Sequence, residues 1–132
     1  MENYVRTVRI EAMTMTDMAE KEILPAVMRY CGDLCASLNE KRKTLPEFSG
    51  RSELKRIEKL SLLTEEIDSA LEALKESIVA KDEADITVQA FHIRDEMLGR
   101  MEALRAFCDE AETITAAGYW PFPTYGELLF GV

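Results

Sequence analysis

Between Ser52 and Ala80, apolar residues recur at alternating spacings of three and four: Ile57, Leu60, Ile67, Leu71, Leu74 and Ile78, with Thr64 in the same series. That spacing places them on one stripe of an α-helix, and Leu54 and Leu63 widen it. Glu65, Glu66, Asp68, Glu72 and Lys75 fall on the other faces, where water is expected. Ser52 is the expected N-cap, because its hydroxyl can accept a bond from an otherwise orphan N–H. A second stripe follows through Ile86, Ala90, Ile93, Met97, Leu104, Phe107, Ala111 and Ile114. Met101 and Cys108 broaden it and Arg100 interrupts it. The polar segment Lys81 to Asp85 separates the two helices, and so short a connection favours antiparallel neighbours. Asp82 or Asp85 could cap the second helix, and Gly118 is the expected terminator through a left-handed conformation.

The first forty-odd residues repeat the pattern with Met15, Met18, Ile23, Val27, Cys31, Leu34 and Leu38. Pro25 lies inside this run. It removes an N–H and its ring meets the carbonyl four residues earlier, so a kink is expected there. Lys41, Arg42 and Lys43 suit a helix C-terminus, and Thr44 to Arg51, with Pro46 and Gly50, reads as a loop. The expected fold is therefore all-α: an antiparallel bundle of three long helices at about 4–43, 52–80 and 85–117, in a single domain. The first helix is longer than its neighbours and is expected either to overhang them or to pack on something outside this chain. The tail, 119–132, is of a different kind. Tyr119, Trp120, Phe122, Tyr125, Leu128, Leu129 and Phe130 surround Pro121 and Pro123, and so apolar a segment is expected to pack back on the bundle or dock on a partner.

Composition narrows the function classes. The chain has 132 residues, 47% of them hydrophobic, and carries 16 basic against 25 acidic residues for a net charge of −9. Phosphate backbones and anionic lipids repel such a chain, so neither nucleic acid nor a membrane surface is an expected partner. No apolar run approaches a membrane span and no signal-peptide pattern opens the chain, which together point to a cytoplasmic protein. Cys31, Cys35 and Cys108 are too few and too unevenly spaced for a disulfide framework, and read as reduced thiols.

No constellation supplies a complete active site. His92 is the only histidine, and it stands in Phe91-His92-Ile93-Arg94-Asp95-Glu96. A phosphorelay histidine wants positive charge where two carboxylates stand. A di-metal bundle needs paired Glu-x-x-His motifs, and no glutamate lies three residues before His92. Cys31 and Cys35 are one helical turn apart, but two thiols do not make a structural zinc site. The run Leu62 to Asp68 is similar to the long helix of helical chorismate mutases, without the arginines that clamp their substrate. Catalytic, cofactor-binding and metal-binding residues are accordingly expected to be none.

Two stretches are more specific than a heptad. The segment ENYVRTVRIEAMTMTDMAEKEILPAVMRYCGDL runs from Glu2 to Leu34, and WPFPTYGELLF runs from Trp120 to Phe130. Together they resemble the C-terminal region of type III glutamine synthetases, the large bacterial glutamate–ammonia ligases, with a looser likeness at MEALRAFCDEAET. The resemblance implies a non-catalytic C-terminal fragment, a scaffold or assembly element, of an enzyme that makes glutamine from glutamate, ammonia and ATP. It implies ATP and a divalent metal, magnesium or manganese, for that parent and none held by this piece. It implies the parent's own upstream catalytic domain and neighbouring subunits of a homo-oligomer as partners. It would make Pro25 a fixed bend in a connecting helix and the aromatic tail a clamp. The competing expectation is an independent helical interaction or signalling bundle, or an enzyme like a chorismate mutase.

Overall fold

A computed structural model describes the backbone of residues 2–80 and 86–123 and the side chains of 6–79 and 92–123. Helix α1 spans Glu2–Met18 and passes through a π-helical turn, Ala19–Ile23, into α2, Leu24–Thr44. These three pieces form one rod. Helix α3 spans Arg51–Ala80 and α4 spans Ile86–Ile114. The result is an up-down-up bundle of three helical rods, as the stripes require, and the described residues contain no strand.

Cross-rod contacts fix the register. Lys41 pairs with Glu53 at 2.6 Å and Lys75 with Glu20 at 2.7 Å, so the first rod runs antiparallel to α3. Lys59 pairs with Glu110 at 2.6 Å, and the Arg100 guanidinium donates to the Ala73 carbonyl, so α4 runs antiparallel to α3 and parallel to the first rod. Arg100, which interrupts the apolar stripe, thus serves as a strut between α4 and α3.

The core follows the two later stripes closely. Leu60, Leu63, Ile67 and Leu74 of α3 and Met97 and Leu104 of α4 are almost wholly buried. Leu54 departs from expectation: it is exposed, while its neighbour Glu53 is the buried residue of that turn, paired with Lys41 of α2. Side chains before His92 on α4, including Ile86 and Ala90, lie outside the described set.

Three local expectations are corrected. Helix α3 begins at Arg51, one residue before Ser52, so Ser52 is not the cap. Gly50 occupies the hinge with φ of 63°, its carbonyl accepts the Leu54 N–H at 2.8 Å, and the Ser52 hydroxyl instead accepts from Arg56 at 2.5 Å. At the far end α4 stops at Ile114, and Gly118 does not adopt the left-handed conformation. The chain closes instead through ordinary turns, Tyr119 N–H to the Ala116 carbonyl at 2.9 Å and Trp120 N–H to the Ala117 carbonyl at 3.2 Å. The first rod does not overhang freely from Val8 onward, since Val8 and Ala12 are buried within this chain's own core. The proposed caps Asp82 and Asp85 lie outside the described residues.

Pro25 is accommodated by widening the helix just ahead of it. The Leu24 N–H donates to the Ala19 carbonyl, five residues back rather than four. That π-type turn makes room for a ring that would otherwise press on the Lys21 carbonyl, and it places Pro25 in the first turn of α2, where a missing N–H costs least.

Candidate functional site

The residues singled out for chemistry do not converge. His92 is exposed on α4. Cys31 and Cys35 are half-buried on α2, where the Cys31 thiol lies 3.7 Å from the Ser61 hydroxyl and 3.9 Å from the Ile57 carbonyl of α3. Burial, with Cys31 beside it, pushes the Cys35 thiol up. Cys108 is buried on α4, and desolvation, reinforced by Asp109, pushes it up to about 11, so it is a protonated thiol at neutral pH. Among the described residues no three histidines, cysteines, aspartates or glutamates stand together as a metal site. No catalytic step is assigned to the described residues.

What the sequence pattern missed is how the first rod divides its apolar residues. Its buried positions are mostly small: Ala12, Ala19 and Ala26 are at most 1% exposed, with Val8, Thr16 and Val27 beside them. Small side chains let this rod's backbone approach the α3–α4 pair closely. Larger residues are left facing outward, with Ile10 at 59% and Met13 at 50% exposed. Ile10 and Met13 are three apart and share a face. Met13 borders a cleft with Thr16, Asp17, Lys75, Ile78 and Val79, and Val79 is 69% exposed. The outcome is an apolar surface spanning α1 and the end of α3. The signal was present in the sequence as a second apolar series on the first helix, offset from the one that was followed.

A second concave region lies between α1 and α4, a groove of about 530 Å³. Met15, Met18, Ala19, Met101, Leu104 and Cys108 form its walls. Trp120 and Phe122 of the tail pack against the core here, and Pro123 lines the groove with them. The start of the tail is pinned by Tyr119, whose hydroxyl donates to Asp33 at 2.5 Å and whose ring meets Tyr30 at 5.0 Å. The Asp33 carboxylate holds the Tyr119 phenol above its usual range. Tyr125, Leu128, Leu129 and Phe130 lie outside the described residues.

A third cleft brings Lys55, Arg56 and Lys59 of α3 against Thr113 to Ala116 at the end of α4. Positive charge there complements the negative end of the α4 dipole, and Lys59 is already paired with Glu110. The arrangement explains itself structurally.

Residues 1–42, which make up nearly all of the first rod, match the family model described as the glutamine synthetase C-terminal domain. The whole chain is 30% identical to a glutamine synthetase of Butyrivibrio fibrisolvens over 133 residues, 19% of that protein's length. It is 27% identical to a type-3 glutamine synthetase of Dictyostelium discoideum over 139 residues, covering 98% of this chain and 18% of the relative. The chain thus spans about a fifth of the length of these curated relatives. No solved structure matches it. The resemblance read from the sequence, to the C-terminal region of a type III glutamine synthetase, holds along the whole chain.

Proposed function

We propose that this chain, as kin of the glutamine synthetase C-terminal domain, is a non-catalytic scaffold of a type III glutamine synthetase whose parent makes glutamine from glutamate, ammonia and ATP. Its partners are the parent's catalytic domain and neighbouring subunits. The nucleotide and the divalent metal, magnesium or manganese, belong to that catalytic domain. The observation that supports the reading is the outward apolar surface of Ile10, Met13 and Val79, on and beside the rod that carries the family match. Helices that bury small residues inward and present large ones outward are built to be covered. No helix among the described residues is long and apolar enough to cross a membrane, so a bilayer-spanning role does not account for that surface.

The test is made in a full-length enzyme containing this chain. Replacing Ile10, Met13 and Val79 together by serine is expected to lower subunit assembly, measured by light scattering, and glutamine formation with it. The same triple change in the 132-residue chain should leave helicity and melting temperature almost unmoved. A full-length triple variant with normal assembly and activity would refute the proposal, as would glutamine synthesis by the 132-residue chain alone.

A further inference from the structure

We infer that the groove between α1 and α4 is a docking site for a basic amphipathic helix of another polypeptide. It involves other residues than the outward surface of Ile10, Met13 and Val79 and does not depend on that surface. Ala19, Leu104 and Cys108 give the groove a buried apolar floor. Met15, half-buried, and Met18, 38% exposed, stand on its first-rod side. Trp120 and Phe122, both half-buried, also line it. Thioether chains are flexible and polarizable, so a methionine wall adapts to an apolar partner without imposing one shape.

Charge selects among apolar partners. Glu11 of the first rod and Asp109 and Glu112 of α4 are exposed at the rim, and Arg105 is the only cation among the residues lining the groove. Three carboxylates against one guanidinium leave the rim negative, and the chain as a whole adds the field of its net −9. A segment with lysine or arginine beside its apolar stripe is attracted on both counts, and an acidic one is repelled. A second copy of this chain, also at −9, is therefore disfavoured. Residues 124–132 carry Glu127 and no cation, so their charge does not match the rim either. The first-rod wall from Glu11 to Ile23 is roughly 18 Å long, the length of a helix of about twelve residues. Two parallel helical rods leave a channel that the apolar stripe of a further helix fills, with its charged flanks at the rim.

Trp120 reads the inference directly, being the only tryptophan of the chain and a residue of the groove. The probe is a synthetic peptide of leucine and lysine, about fourteen residues long with the leucines at helical spacing, titrated into the 132-residue chain. Trp120 emission should move to the blue and saturate at one peptide per chain. A peptide with glutamate in place of lysine should leave the emission unchanged. Charge reversal at the rim, Asp109→Lys/Glu112→Lys, should weaken binding of the lysine peptide about tenfold, because two attractions become two repulsions. The same reversal outside the groove, Asp68→Lys/Glu72→Lys on α3, should change it by less than about twofold. All four positions are exposed, so helicity should be unchanged in both variants. No emission change at saturating lysine peptide overturns the inference. So does equal weakening by the two reversals, which is a general attraction to an acidic chain, and so does equal binding of the glutamate peptide.

Discussion

The α3–α4 hairpin and the first rod bury their faces with different residues. The hairpin presents large aliphatics to the core: Leu60, Leu63, Ile67 and Leu74 on α3 face Met97 and Leu104 on α4, each at most 1% exposed. The first rod presents Val8, Ala12, Ala19 and Val27 together with Ile23 and Leu24, and turns Ile10, Met13 and Met28 outward. Large inward side chains make the hairpin the main source of burial. Small inward side chains let the first rod lie close, and its outward ones remain available to whatever covers it. Both regions leave apolar side chains exposed, Leu62, Val79 and Leu98 on the hairpin among them, so the contrast lies in the inward residues.

The largest break in that contrast should come from Leu63→Ala, which removes a wholly buried side chain from the hairpin. A loss of about 2–5 kcal/mol is expected by urea denaturation. A result under 1 kcal/mol would mean the hairpin does not carry the burial. On the first rod the sign of the size effect reverses. Ala12→Leu adds bulk where the backbone lies close and should cost about 1–3 kcal/mol by overpacking. If it stabilised the chain instead, the close approach of the rod would be wrong.

The junction between the two regions gives the next effect. Gly50, at φ of 63°, joins the first rod to α3, and a Cβ there would run into the Leu38 side chain. Gly50→Ala should cost roughly 1–2 kcal/mol from the left-handed backbone alone, with a further penalty for displacing Leu38. Unchanged thermal stability would contradict that conformation. The same junction holds the Lys41–Glu53 pair, whose hydrogen bond keeps the Glu53 carboxyl below its usual range. A depressed carboxyl adds stability above its unfolded value, and loses it as pH falls through its folded value. The melting-temperature gap between the native chain and Glu53→Gln should therefore be open at neutral pH and close at acid pH. A gap that persisted at low pH would place the effect in packing rather than charge.

The smallest stability effect is expected at the outward apolar residues. Met28→Ser, on the exposed face of α2, should change the stability of the 132-residue chain by no more than about 0.5 kcal/mol. A larger loss by denaturation would show that this face is already covered within the chain.

Much of the architecture was legible in the residues themselves. The α3 and α4 stripes named their own buried faces, because a large aliphatic at every third or fourth position has only one low-energy place to go. The short polar link between them implied antiparallel packing. The kinship was legible too, in segments at the two ends of the chain. The first rod was read less well. Ile23, Val27 and Leu38 of its series are buried and Met15, Cys31 and Leu34 pack against the core, but Met18 is exposed and the alanines at 12 and 19 escape a search for bulky residues. Ser52 was misread as a cap because its hydroxyl is as good a local acceptor as any, and only the left-handed backbone at Gly50 moved the helix start one residue earlier.

From sequence alone, then, came three helical rods, their order, the faces of the later two, and the absence of a recognisable catalytic motif. These depend on local periodicity and on residue types, which the chain carries wherever it folds. Tertiary structure decided the parallel placement of the first rod beside α4, the π turn ahead of Pro25, the pinning of Tyr119 on Asp33, and which apolar residues stay outside. Those depend on the distance between rods, which is set jointly by side chains far apart in the chain, and no single helix encodes it.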